Sequence, residues 1–139
     1  MFLEHVSQPA EKVTIINITS GAAVIDFVPG LSGDTASKLA AFNMFSHLAY
    51  EQTSSVKVFH LHPGVVATAM AAEGNSICDD TAELAADFAV WLTAPEADSL
   101  QNRFLYANWD VEELPARKQE IVERDLLTLG LRGWDSTAM

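Results

Sequence analysis

The stretch Lys12-Val13-Thr14-Ile15-Ile16-Asn17-Ile18-Thr19-Ser20-Gly21 decides the fold. Apolar and β-branched residues fall at odd and even positions alike, so a strand built from it has no polar face. Strict alternation marks a strand with one side in water. Its absence marks a strand buried on both faces, the condition of a parallel sheet covered by helices. No proline or interior lysine blunts an open edge, so this strand looks central rather than edge and expects a neighbour that the chain does not supply, which leaves its edge exposed.

Working outward, Ser20–Gly33 reads as a loop, broken by Gly21, Pro29, Gly30 and Gly33. A helix is predicted from about Asp34 to Gln52, with Asp34 capping its start. Leu39, Phe42, Phe45 and Ala49 form one apolar stripe, and Ala41, Met44 and Leu48 a second, so the helix is expected to be buried on more than one side. Val56–Leu61 is a second buried strand, ended by His62-Pro63-Gly64. Ala67–Ala72 is a short helix. Asp80 with Glu83 forms a capping-box pattern before a helix whose stripe is Leu84, Phe88, Trp91 and Leu92. That helix stops ahead of Pro95. Arg103–Ala107 is a third strand. Asp110 with Glu113 suggests another cap, and Leu114, Ile121, Val122 and Leu126 a last amphipathic helix, disturbed by Pro115 and broken by Gly130 and Gly133. Strand and helix alternate three times. Such alternation gives right-handed crossovers and an α/β fold of about three parallel strands with flanking helices.

Composition narrows the function classes. The 139 residues are 49% apolar, enough for one domain with a core. A net charge of −11 argues against nucleic acid or an anionic membrane surface as partner. Fourteen of the nineteen acids lie in residues 73–139, a pattern expected of a solvated surface. No apolar run reaches the roughly eighteen residues of a membrane span. Met1-Phe2-Leu3-Glu4-His5 does not open like a signal peptide. The one cysteine, Cys78, cannot form an internal disulfide, which fits a reducing, cytoplasmic setting. His60 and His62 flank Leu61, but no third ligand sits at metal-binding spacing, so no metal is expected.

Four segments in order carry a family resemblance: Asn17-Ile18-Thr19-Ser20-Gly21; Ser32-Gly33-Asp34-Thr35-Ala36-Ser37-Lys38; His62-Pro63-Gly64 through Thr68 and Met70; and Ala107-Asn108-Trp109-Asp110 through Leu114, with the ending Leu126–Trp134. Phe2-Leu3-Glu4-His5 adds the close of a preceding helix. The chain resembles the C-terminal half of the short-chain dehydrogenase/reductase family, fungal members in particular. The resemblance implies a single partial Rossmann-like domain over residues 1–139, within a doubly wound parallel sheet. It also implies an NAD(P)-dependent oxidoreductase acting on an alcohol or ketone, plausibly in fungal secondary metabolism. Ser20 then holds the substrate oxygen. Lys38 holds the cofactor ribose and tunes the proton donor, and Pro63, Gly64 and Thr68 line the cofactor's other end. The long helix 34–52 resembles one the family uses for subunit contact, so self-association through it is expected.

Two departures set the alternatives. The glycine-rich turn that holds a dinucleotide pyrophosphate has no counterpart, since Gly21, Gly30, Gly33 and Gly64 are not spaced for it. Cofactor binding by this chain alone is therefore not expected. The family's catalytic tyrosine position holds Asp34. An aspartate, with a reference pKa of about 3.9, is ionised at neutral pH and is acceptor-only, so it opposes the alkoxide that carbonyl reduction develops. The competing expectation is a truncated, inactive derivative or a non-redox binding module that keeps a substrate cleft. Asp34 has structural readings too, as a helix cap or as an ion-pair partner of Lys38. So do Ser20, as a strand-end hydroxyl, and Thr68, as a cap.

Overall fold

The structure, a computed structural model, describes residues 12–25, 29–73 and 77–130. The segment Phe2–His5 and Trp134 of the family resemblance lie outside the described residues, as does Gly133. The described elements are β1 (Val13–Ile18), a 3-10 turn (Gly21–Ala23), α1 (Ser32–Glu51), β2 (Val56–His62), α2 (Ala69–Glu73), α3 (Ala82–Trp91), a second 3-10 segment (Pro95–Leu100), β3 (Phe104–Tyr106), α4 (Glu113–Ala116) and α5 (Lys118–Glu123).

The three strands form one parallel sheet in the order β1-β2-β3. Val13 pairs with Val56 and Ile18 with Leu61, and His60 pairs with Phe104. The α/β class follows: each parallel step needs a crossover, which α1 supplies first and α3 second. The two faces carry different residues. Val13, Ile15, Val56 and Val58 pack with Phe45 and Ala49 of α1. On the opposite face Phe59, Leu61 and Leu105 join Phe88 and Leu92 of α3, Ala97 and Leu100 of the second 3-10 segment, Leu114 and Ile121. Burying each large side chain there contributes on the order of 1.5–3 kcal/mol, so this second face holds most of the core.

Several sequence expectations are corrected. β1, read as a strand wanting a further neighbour, has no strand paired with its outer edge among the described residues, and its Ile18 is 47% exposed. β2, flanked on both sides, is the buried strand, and Val56, Val58, Phe59, His60 and Leu61 are all essentially inaccessible. α1 begins two residues earlier than expected and is not buried on two sides. Phe42 is its one fully buried residue, while Met44 is 59% exposed and Tyr50 79%. Of its second stripe Met44 is exposed, while Ala41 and Leu48 are half-buried. The cap of α3 is Thr81, not Asp80: Thr81 Oγ1 accepts from the Leu84 N–H at 3.2 Å. Leu84, expected in the buried stripe, is exposed, whereas Phe88 and Leu92 are buried as expected. The final helix is two short helices, α4 and α5, parted at Arg117, and Pro115 lies within α4 in its first turn, where its missing N–H is tolerated. Asp110 does cap the first, with Oδ1 accepting from the N–H groups of Glu112 at 2.7 Å and Glu113 at 3.1 Å.

The two ends of the sheet are unequal. Beside β3 the chain folds back, and the Phe104 N–H donates to the Leu127 carbonyl at 2.7 Å. The Arg103 Nη1 group holds this return strap, donating to the Leu126 carbonyl and to Asp125 Oδ1. Asn102 and Leu127, both with positive φ, make the bends on either side. No described residue does the same for β1.

Candidate functional site

The C-terminal ends of parallel strands are where open α/β sheets bind ligands, because helix starts and strand-to-helix loops converge there. Here that end gathers the turn after β1, the first turns of α1 and the loop after β2. The turn Ser20–Ala23 is fastened twice. Gly21 N–H donates to His62 Nδ1 at 3.0 Å, and Thr35 Oγ1 donates to the Ala22 carbonyl at 3.4 Å. Ser20 starts the 3-10 turn, and its hydroxyl makes no capping bond.

Asp34 is the third residue of α1, not its cap; the capping position is Leu31, with no side-chain bond. A carboxylate in the first turn still complements the helix dipole. The expected ion pair with Lys38 is not formed. Lys38 Nζ instead donates to the Ile18 carbonyl at 3.1 Å, tying α1 to the end of β1. Ser20, Asp34 and Lys38 are thus carried on adjoining segments, but no hydrogen bond joins them to one another among the described residues. Thr68 stands just ahead of α2, and its Oγ1 accepts from the Ala71 N–H at 3.3 Å, the capping role.

The loop after β2 is shaped by a carboxylate. Gly64 has φ +88°, and a Cβ there would lie 2.4 Å from Asp80 Oδ2, so only glycine fits. Asp80 Oδ2 accepts from the Val65 N–H at 2.8 Å, and Val66 bridges to Asp80 in parallel fashion. Asp80, read from sequence as a helix cap, is therefore a clasp on the Pro63–Thr68 loop. No local pattern signals this, since its partner is fifteen residues away.

Beneath the site, His60 is fully buried in a polar network that sequence reading missed. Its Nδ1 accepts from Asn17 Nδ2 at 3.0 Å, and its Nε2 lies 3.1 Å from Asn102 Oδ1 and 3.2 Å from Ser46 Oγ. The amide oxygen can only accept, so the neutral ring carries its proton on Nε2. The ring stacks on Phe42 with centroids 3.7 Å apart. Burial lowers the His60 pKa to about 4, although the Asn102 bond opposes the shift. His62 is also lowered by burial, partly countered by the Asp80 carboxylate, and Tyr106 beside it is raised by burial. Both histidines are held by backbone or amide groups. No cluster of three or more His, Cys, Asp or Glu with metal-holding geometry occurs among the described residues.

None of Ser20, Asp34, Lys38, Pro63, Gly64 or Thr68 lines either of two cavities in the molecule. One, a groove of about 700 Å³, lies near the opposite end of the strands and is bordered by Tyr50, Thr53, Arg103 and Asp125. The other, of about 230 Å³, lies under α4 and α5. The candidate site is an open surface at the sheet's end. No helix among the described residues is long and apolar enough to cross a membrane.

No family model matches the chain. It is 38% identical over 135 residues to a short chain dehydrogenase/reductase of Claviceps purpurea, covering 91% of this chain and 46% of that protein. Against the short chain dehydrogenase/reductase nsrO of Aspergillus novofumigatus it is 38% identical over 140 residues, 94% of this chain and 48% of that one. In fold it matches a 7 alpha-hydroxysteroid dehydrogenase complexed with NADH and 7-oxo glycochenodeoxycholic acid, with TM-score 0.54 and 21% identity over 67% of this chain and 42% of that chain. Over nine-tenths of its length, then, the chain is similar to short chain dehydrogenase/reductases, and its fold is Rossmann-like α/β. It spans about half the length of the curated relatives it matches.

The buried His60 gives a pH signature. Its folded-state pKa lies below the unfolded reference of about 6.5, so between the two values the unfolded chain binds the extra proton. Stability is complete above about pH 6.5 and falls as pH drops toward 4, by on the order of 3 kcal/mol. Urea midpoints measured across this range should fall more steeply for the natural chain than for His60→Gln. Parallel profiles would contradict the burial of an uncharged imidazole.

Proposed function

We propose that this chain is the C-terminal portion of an NAD(P)-dependent oxidoreductase acting on an alcohol or ketone group of a small molecule, of the kind used in fungal secondary metabolism. The supporting observation is that the segments bearing Ser20, Lys38, Pro63, Gly64 and Thr68, distant in sequence, converge at one end of a parallel sheet in a chain 38% identical to fungal dehydrogenase/reductases. In this reading the Ser20 hydroxyl holds the substrate oxygen, Lys38 faces the ribose, and the loop clasped by Asp80 meets the far end of the nucleotide.

The residues fit one end of a dinucleotide and not the whole of it. The chain has no glycine-rich phosphate turn, and Lys38 and Thr68 spend their polar atoms on backbone groups. A reduced nicotinamide, when bound, would supply the hydride. What this chain contributes is orientation of the oxygen, and Asp34 limits it. A carboxylate in the donor's place has no proton to give at neutral pH and repels the developing alkoxide. Asp34 favours the second reading, a catalytically inactive or non-redox binding derivative.

Fusing the N-terminal half of a curated relative ahead of Met1 separates the two. Nucleotide binding should return and turnover of a permissive ketone should stay low. Adding Asp34→Tyr should then raise turnover by about 10²- to 10⁴-fold, the usual worth of general acid catalysis. Equal turnover with Asp34 intact would show that a carboxylate or a water delivers the proton, and would overturn the disabled-donor reading.

The same reading extends to assembly. The exposed Met44 and Tyr50 on α1 and the open edge of β1 are surfaces that seek cover, and we assign to them self-association of this chain. Light scattering at tens of micromolar should give a mass above that of one chain. A monodisperse monomer contradicts the assignment.

A further inference from the structure

We propose that His62 is an oxygen-binding residue of the candidate site: its Nε2–H is a fixed, uncharged hydrogen-bond donor, on a ring fastened to the turn that follows Ser20, for the carbonyl or alcohol oxygen of a small-molecule substrate. The proposal rests on reading the sheet's end as an oxidoreductase site, but its test needs no nucleotide.

The argument begins with the bond to Gly21. A backbone N–H can only donate, so His62 Nδ1, which lies 3.0 Å from the Gly21 nitrogen, must present a lone pair. In the neutral ring the proton is then on Nε2. His60, two residues earlier on the same face of β2, is held in the same tautomer, but both of its nitrogens are engaged. Nε2 of His62 has no partner among the described residues. Nor is it one of the fully buried orphan atoms, which are Thr19 Oγ1, Ser99 Oγ and Arg103 Nε. It is open to approach.

The surroundings keep it so. A Cβ at position 21 would lie over the ring face, 3.2 Å from Nε2, 3.4 Å from Cδ2 and 3.5 Å from Cε1, and would press the ring from its place, so glycine here lets the imidazole keep its position. The Tyr106 ring, edge-on at 4.9 Å and 82°, fixes the imidazole plane from β3. The titratable groups facing the ring are Tyr106 and, from the segment before α3, the Asp80 carboxylate, itself tied to the Val65 N–H. Burial outweighs Asp80 and lowers the ring's pKa, which keeps it neutral at pH 7. A neutral imidazole N–H can polarise a carbonyl without releasing a proton. Asp34, being acceptor-only when ionised, cannot. His62 therefore supplies the hydrogen bond to oxygen that Asp34 withholds, and leaves open where the proton comes from.

The test uses the whole chain labelled with ¹⁵N in histidine, near pH 7.5. Long-range ¹⁵N–¹H spectra should show His62 as the Nε2–H tautomer. Titration with 2-tetralone, an uncharged bicyclic ketone, should shift the His62 Nε2 resonance and leave His60 in place. Tetralin, the same rings without the carbonyl, should not. Gly21→Ala should weaken the 2-tetralone response by about fivefold to tenfold, the worth of one neutral hydrogen bond. Should Gly21→Ala fail to fold, ketone-observed saturation transfer compares His62→Gln, which keeps an amide donor, with His62→Phe, which does not. The first should retain binding and the second lose about fivefold to tenfold. An Nδ1–H tautomer, no shift at millimolar 2-tetralone, equal shifts from tetralin, or equal affinity of the two His62 variants would each overturn the assignment. Because nucleotide is absent throughout, these outcomes leave the oxidoreductase reading to be judged separately on the fused protein.

Discussion

The rest of the structure turns on one buried ring. His60 sits at the middle of β2, pairs in register with Asn17 of β1 and Phe104 of β3, and is hydrogen-bonded to Asn17, Ser46 and Asn102. It thereby links an outer strand, the long helix and the turn into the last strand. A polar ring with no solvent contact is tolerable only if its nitrogens are partnered, and the partnering fixes three things at once. It sets the β1–β2 register, since a one-residue slip would remove Asn17. It sets the depth of α1, since Phe42 stacks on the ring and Ser46 reaches its edge. It also requires the left-handed bend at Asn102, whose side chain must turn back under β2. The cost is a histidine that cannot take up a proton without breaking the network.

From that anchor the strand ends follow. Two residues on, β2 delivers His62 to the turn after Ser20, then ends at Pro63-Gly64 under the Asp80 carboxylate. Lys38 closes the figure by binding the Ile18 carbonyl. The result is an open surface that brings together Ser20, Lys38, His62 and the Pro63–Thr68 loop, to which the proposed reading gives an oxygen and one end of a nucleotide. The edge of β1 beside that surface is open among the described residues, whereas the edge of β3 is strapped by Leu127.

Much of the fold was legible in the sequence, because it rests on local signals. The unbroken apolar run of β1, the stop at Pro63-Gly64, the caps near Thr81 and Asp110 and the helical spacing of Phe88 and Leu92 each act within a few residues. What failed depended on partners far away. β1 is apolar on both faces, yet its place in the sheet is decided by which strands are present. The second stripe of α1 reads as buried because it is apolar. Asp34 and Asp80 both read as caps because aspartate is a good cap. Which one caps, clasps a loop or simply faces the helix dipole depends on contacts fifteen or more residues distant. The site residues Ser20, Lys38 and Thr68 were visible as a pattern. The Asn17–His60–Ser46–Asn102 network and the placement of His62 over Gly21 were not, since both need the strand register first.

The central claim is that this chain holds the oxygen-binding end of a reductase site and not the nucleotide cradle. Calorimetric titration of the chain with NADH and with NADPH tests it most directly. The account predicts no saturable heat for either nucleotide at micromolar concentrations, since no backbone turn in the sequence can hold a pyrophosphate. Saturable binding in the low micromolar range would contradict it and show that the residues at the sheet's end suffice to hold the cofactor.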